Sequence, residues 1–149
     1  MTIKRITDNK HEFLELLLLA DPDERMIGRY LDRGELFALY DENRLKSVCV
    51  VTDEGNGLCE LKNLATVPDA QGQGYASRLV RHAIETCRPA FSTMQVGTGN
   101  VPKTIRFYEK CGFTLSHRIR DFFTTHYPEL IVEDGILLTD MIYLSQTLR

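Results

Sequence analysis

The chain has no tryptophan, five prolines and four cysteines among 149 residues, and no apolar run near the roughly 18 residues of a membrane-spanning helix. The longest candidate, residues 14–20, contains Glu15 and reads as a buried helix. Cys49, Cys59, Cys87 and Cys111 form no C-x-x-C pair. No histidine pair stands at zinc-ligand spacing, so neither a redox motif nor a metal site is indicated. The cysteines read as reduced, mostly buried thiols. His11, His82, His117 and His126 are equally scattered. A basic surplus is also missing: the net charge is -3, which argues against a nucleic-acid partner and leaves a cationic substrate admissible. Residues 1–6 lack the apolar core and cleavage site of a signal peptide. These absences, with 43% hydrophobic and 26% charged residues, lead to the expectation of one cytoplasmic domain over residues 1–149, without membrane or metal.

What is present is an alternation of strand and helix signals. Residues 2–6 read as a strand, followed by a helix capped by Thr7 or Asp8 and running to about Leu19. Asp21 then caps a second helix, with Pro22 in its first turn and Gly34 as its stop. Residues 35–40, 44–52 and 58–67 form two antiparallel hairpins through turns at 41–43 and 53–57. A helix is expected from about Gly74 to Arg88, a strand over 90–96, a helix opening at Pro102 and ending near Gly112, and strands over 113–119 and 140–145. The order β-α-α-β-β-β-α-β-α-β-β describes a mixed α/β fold, with a mostly antiparallel sheet and flanking helices.

The most informative segment is Gln71-Gly72-Gln73-Gly74, which leads from a strand and a proline stop directly into a helix. Glycines let several N–H groups converge on one point, and the helix start adds unpaired donors and partial positive charge. That combination suits a phosphate. A P-loop lysine is absent, and Ser77 replaces the third glycine of a dinucleotide fingerprint. On the glycines alone, a tight strand-to-helix connection without any ligand stays open.

Further residues decide the matter. Gln71-x-x-Gly74-x-Ala76 resembles the Q/R-x-x-G-x-G/A signature of the GNAT superfamily of N-acetyltransferases. Upstream, Leu64-Ala65-Thr66-Val67-Pro68 is similar to the strand that ends before that loop. Downstream, Asn100, and then Phe107-Tyr108-Glu109-Lys110-Cys111-Gly112-Phe113, resemble the family's second signature. The likeness spans residues 2–120 and belongs to a small bacterial-type subgroup. It implies an acyl-CoA N-acyltransferase fold in which two strands splay around acetyl-CoA, used as co-substrate. By this resemblance the N–H groups of Gly72, Gln73, Gly74, Tyr75, Ala76 and Ser77 hold the pyrophosphate. The backbone near Thr66 and Val67 pairs with the pantetheine arm. Val67 N–H polarises the thioester carbonyl, and Asn100 binds the arm from the other side.

The resemblance also places Tyr108 as the general acid that protonates the departing thiolate. Glu60, eleven positions before Gln71, matches a catalytic glutamate of the histone-acetylating branch; an ordinary strand carboxylate paired with Lys62 is the alternative reading. Asp140 is a further candidate base. The aromatic segment 121–129 either lines the acceptor site or covers a dimer face, with Phe122 and Phe123 as core and His126 as a remote proton shuttle. Cys59 and Cys111 have no neighbouring histidine to generate a thiolate, so direct attack by the amine is expected. The partners expected are a small-molecule or peptide amine, with a homodimer common among such relatives. The rival readings are a non-catalytic acyl-CoA sensor and an enzyme using a longer acyl-CoA.

Overall fold

The computed structural model describes residues 1–149. Nine strands and five α-helices follow in the order β1 (Thr2–Ile6), α1 (Leu14–Ala20), α2 (Glu24–Gly28), β2 (Glu35–Asp41), β3 (Arg44–Gly55), β4 (Leu58–Thr66), α3 (Tyr75–Cys87), β5 (Thr93–Thr98), α4 (Pro102–Lys110), β6 (Thr114–Ile119), α5 (Phe122–His126), β7 (Val132–Glu133), β8 (Ile136–Leu137) and β9 (Met141–Thr147). Seven strands form one sheet in the order β1-β2-β3-β4-β5-β9-β6, and β7 with β8 makes a small separate hairpin. Every pairing in the large sheet is antiparallel except β4 with β5. The mixed, mostly antiparallel sheet with flanking helices is therefore the architecture expected from the sequence.

The apolar runs of β2 and β3 do not alternate with polar residues because both faces of the sheet are covered. Phe37, Leu39, Cys49 and Val51 face Leu79, Val80, Ala83 and Ile84 of α3 in one core. Leu36, Ala38, Val48 and Val50 face Leu16 and Leu17 of α1 and Ile27 of α2 in the other. A third, smaller cluster joins Val101, Phe123 and Leu138. No helix is long and apolar enough to cross a membrane.

Four boundaries differ from those expected. Neither Thr7 nor Asp8 caps α1; a 3-10 turn over Lys10–Phe13 precedes it, behind Asn9 in the left-handed conformation. The second helix is capped by Asp23, whose side chain accepts from Arg25 N–H at 2.9 Å, and not by Asp21. It also stops at Gly28, because Lys10 Nζ gathers the carbonyls of Leu31, Asp32 and Gly34 at 3.3, 3.1 and 2.6 Å into a turn. The fifth strand starts at Thr93 and not at 90, since Ala90 and Phe91 N–H both fold back on the Cys87 carbonyl at the end of α3.

One irregularity shapes the rest. In the β3–β4 ladder Val51 pairs with Leu61 and Val50 with Asn63, so Lys62 is an extra residue in a bulge. Bulges bend a strand and sharpen its twist. Parallel pairing of β4 with β5 runs only from Leu58↔Thr93 to Leu61↔Val96 and ends at that bulge. Beyond it β4 stays with β3 and β5 stays with β9, opening a split in the sheet.

Candidate active site

The split leads into a cavity of about 500 Å³. β4 contributes Leu61 to Thr66 to its wall, and Gln71 stands at the start of the following loop. Val96, Gly97, Thr98 and Gly99 line the opposite strand end, with Thr104 and Tyr108 from α4. Gly97 is required there: a Cβ would stand 2.8 Å from Met141 Sδ and 3.0 Å from the Tyr143 ring. The remaining wall comes from residues 19–22 and from the segment holding Phe123, Tyr127, Ile131, Val132, Glu133 and Leu138.

Along β4 the hydrogen-bond alternation decides which groups are free. Val67 N–H donates to the Lys46 carbonyl at 2.8 Å, which makes 46 and 67 a bonded pair against β3. In an antiparallel ladder the intervening residues turn their N–H and C=O outward, so Leu64 and Thr66 present theirs to the split. Gln71 Nε2 donates to the Thr66 carbonyl at 3.3 Å on that side. The Val67 N–H expected to polarise the thioester is thus consumed by the Lys46 carbonyl, and the donors that face the split are Leu64 and Thr66 N–H.

Past the strand, Gly72 and Gly74 adopt φ values of +77° and +86°, and a Cβ at either would meet nothing within 4 Å. This left-handed turn delivers the chain into α3, whose first backbone bond is Arg78 N–H to the Gly74 carbonyl. The N–H groups of Gly72, Gln73, Gly74, Tyr75, Ala76 and Ser77 make no backbone hydrogen bond. Six donors therefore surround the positive end of a 13-residue helix. The Tyr75 side chain is not part of this cradle; it is buried, and its hydroxyl donates to Asp41 at 2.7 Å.

Tyr108 is buried edge-on against Phe107 and Phe113 with ring centroids 5.1 and 5.8 Å away. Burial, reinforced by the nearby Cys111, Cys49 and Glu133 groups, holds its hydroxyl pKa well above 10, so the phenol keeps its proton.

Other expected residues stand elsewhere. Glu60 is buried but does not line the cavity; it accepts from Gln95 Nε2 at 2.6 Å and pairs with Lys62 Nζ at 3.0 Å. Asn100 is turned to the chain, its Oδ1 accepting from Thr139 N–H at 3.0 Å and its Nδ2 donating to the Leu137 carbonyl at 3.5 Å. Asp140 accepts from Asp121 N–H at 3.0 Å and faces Arg118 at 3.6 Å. His126 is exposed and lies against the Phe122 ring. Cys59 and Cys111 are outside the wall. The Cys59 thiol is pushed up by its hydrogen bond with Cys87 and by burial, and the Cys111 thiol by burial, away from the reactive thiolate. Asp21, Lys62 and Asn63 of the wall carried no functional signal in the sequence, whereas Tyr127 belongs to the segment 121–129 that was expected either to line the acceptor site or to cover a dimer face.

The sequence and the fold are shared with known proteins. A family model described as an acetyltransferase (GNAT) domain matches residues 32–115. The uncharacterised N-acetyltransferase YvbK of Bacillus subtilis is 35% identical over 139 residues, 92% of this chain and 90% of that protein. A GNAT family acetyltransferase from Elizabethkingia anophelis, solved with acetyl-CoA bound, superposes with a TM-score of 0.93 at 33% identity, covering 98% of this chain and 97% of its own. An IAA acetyltransferase from Bacillus cereus gives a TM-score of 0.92 at 37% identity, with 98% of both chains covered. The chain belongs to the GNAT family of acetyltransferases.

Proposed function

We propose that this acetyltransferase takes acetyl-CoA as donor and passes the acetyl group directly to a primary amine of a small molecule or peptide. The observation that carries the reading is the continuity of two features: the unpaired edge of β4 at Leu64 and Thr66 runs straight into six open N–H groups at the start of α3. An extended amide-bearing arm ending in a pyrophosphate matches both, the arm adding to a strand edge and the anion meeting a helix N-terminus. The space where Cβ atoms of Gly72 and Gly74 would stand suits close approach of that anion. The relative from Elizabethkingia anophelis, solved with acetyl-CoA, supports the choice of donor.

Within the split, Thr66 N–H donates to the oxygen that becomes negative as the amine adds to the thioester carbonyl. The C–S bond then breaks, and the Tyr108 hydroxyl supplies the proton that the thiolate takes up. The proton shed by the new amide nitrogen restores the phenol, so an ammonium substrate yields amide, free thiol and one proton to solvent. The raised pKa of Tyr108 does not oppose this step, because a thiolate emerging in the same dry cavity is destabilised too. Glu60 acts through Lys62: its carboxylate neutralises the one cation of the β4 wall, which leaves an ammonium unrepelled. Asn100 fixes the 137–139 backbone that closes the cavity.

Intact-mass measurement during turnover tests the direct route. Acetylated amine and free coenzyme A in equal amounts, with unmodified protein at every time point, are expected. A transient acetyl adduct on the chain would replace direct attack with an acyl-enzyme.

A further inference from the structure

At the acceptor end of the cavity, two distant segments meet on one carboxylate. Asp21, in the connection between α1 and α2, accepts from Tyr127 Oη at 2.9 Å and from Tyr30 Oη at 3.1 Å. Asp23 N–H approaches the same side chain at 3.4 Å. Every group touching this carboxylate donates to it, and no lysine, arginine or histidine pairs with it. The one cation in the wall, Lys62, is taken by Glu60 at 3.0 Å. A carboxylate partly withdrawn from water without a counter-ion is costly, and this partial burial raises the pKa of Asp21.

Asn63 adds a second, independent sign. It lines the cavity at 4% exposure, and its Nδ2 donates to the Leu17 carbonyl at 3.0 Å and to Tyr30 Oη at 3.1 Å. Its buried Oδ1 accepts nothing. The network thus has acceptors to spare and no free donor, and what completes it is a cation bearing several N–H groups. Beside the carboxylate, Tyr127 packs with Phe123, Ile131, Leu138 and Met141 of the same wall in one apolar cluster.

We infer that the acceptor is a primary amine carried on an apolar, aromatic-sized body, with its ammonium seated on Asp21 and its body against Phe123, Tyr127 and Leu138. This inference rests on the amine-transfer reading above. A polyamine is a poor fit, since each further ammonium needs its own carboxylate, and the other acid of the wall, Glu133, stands exposed on the β7–β8 hairpin.

Calorimetric titration separates the two levels of the argument. Coenzyme A is titrated first, and then 2-phenylethylamine, tryptamine, spermidine and the uncharged 2-phenylethanol are titrated into the coenzyme A-saturated protein. The two arylalkylamines bind at least ~10-fold more tightly than spermidine or 2-phenylethanol, and Asp21→Asn weakens them by ~10-fold or more. Asp23→Asn, which alters a neighbouring charge outside the cavity, leaves them unchanged. Spermidine binding as well as tryptamine, equal affinity for 2-phenylethanol, no amine binding at all, or a folded Asp21→Asn protein of undiminished affinity overturns the inference. Failure of coenzyme A to bind in the first titration instead defeats the transfer reading itself.

Discussion

The two walls of the cavity are built in opposite ways. The donor wall is backbone: an unpaired strand edge, two left-handed glycines and the start of α3, all within residues 64–77. The acceptor wall is side chains: Asp21, Asn63 and Tyr127 come from three separate segments and meet through hydrogen bonds spanning up to 106 positions. A backbone wall recognises what all its ligands share, here an amide arm and a phosphate. A side-chain wall can change its ligand by substitution without disturbing the sheet. The difference accounts for a donor that is written in a short motif and an acceptor that is not.

Breaking the donor wall has the largest effect. Gly74→Val places a β-branched side chain at φ +86°, in space otherwise open beside the N–H cradle. Loss of two or more charge-assisted bonds to the pyrophosphate predicts acetyl-CoA affinity lowered by ~1000-fold or more, read by calorimetry on a protein that still melts cooperatively. Tyr108→Phe acts between the walls: kcat falls by ~100-fold while acetyl-CoA affinity is kept, because only the proton is removed. An unchanged kcat removes Tyr108 as the acid.

Asp21→Asn breaks the acceptor wall alone, lowering amine affinity with donor affinity intact, and its stability signature has the opposite sign. The folded pKa of Asp21 is raised above its usual 3.8, so the folded chain binds this proton more tightly than the unfolded one. Its stabilising contribution is present in full below 3.8 and is lost as pH rises through the folded value, leaving a half-buried charge without a counter-ion at neutrality. The variant therefore melts higher than the parent at pH 7, and the gap closes towards pH 3. A lower melting temperature at pH 7 would show that the Tyr30 and Tyr127 hydrogen bonds outweigh the burial cost. The smallest effect is the sharpest on one point. Asn100→Ala frees the 137–139 backbone and raises the amine KM by about threefold through a loosened wall, with acetyl-CoA affinity unchanged. A selective loss of acetyl-CoA affinity would return Asn100 to the pantetheine arm.

Legibility in the sequence follows the same division. The hairpins around 41–43 and 53–57, the stops after α3 and α4 and the stripes of those two helices are local features, and all appear close to where their residues put them. The glycine turn was legible for the same reason. The bulge at Lys62 was not, since a single extra residue in a ladder leaves no trace in a strand-like run, yet it ends the β4–β5 pairing. Which N–H faces the split depends on the ladder's phase, and so Leu64 and Thr66 N–H face it while Val67 N–H does not. Asp21 looked like a helix cap because it precedes Pro22, but Asp23 takes that position and frees Asp21 for two tyrosines. Partners that far apart in the chain give no spacing to read.

The central claim is tested most directly by supplying acetyl-CoA with each member of a primary-amine panel and following free thiol and N-acetylated product together. Amine-dependent thiol release, matched one for one by the acetyl amide and cut sharply in Tyr108→Phe, is the predicted result. Tight acetyl-CoA binding with no thiol release above hydrolysis for any amine would contradict it, and would make the protein a sensor of the donor alone.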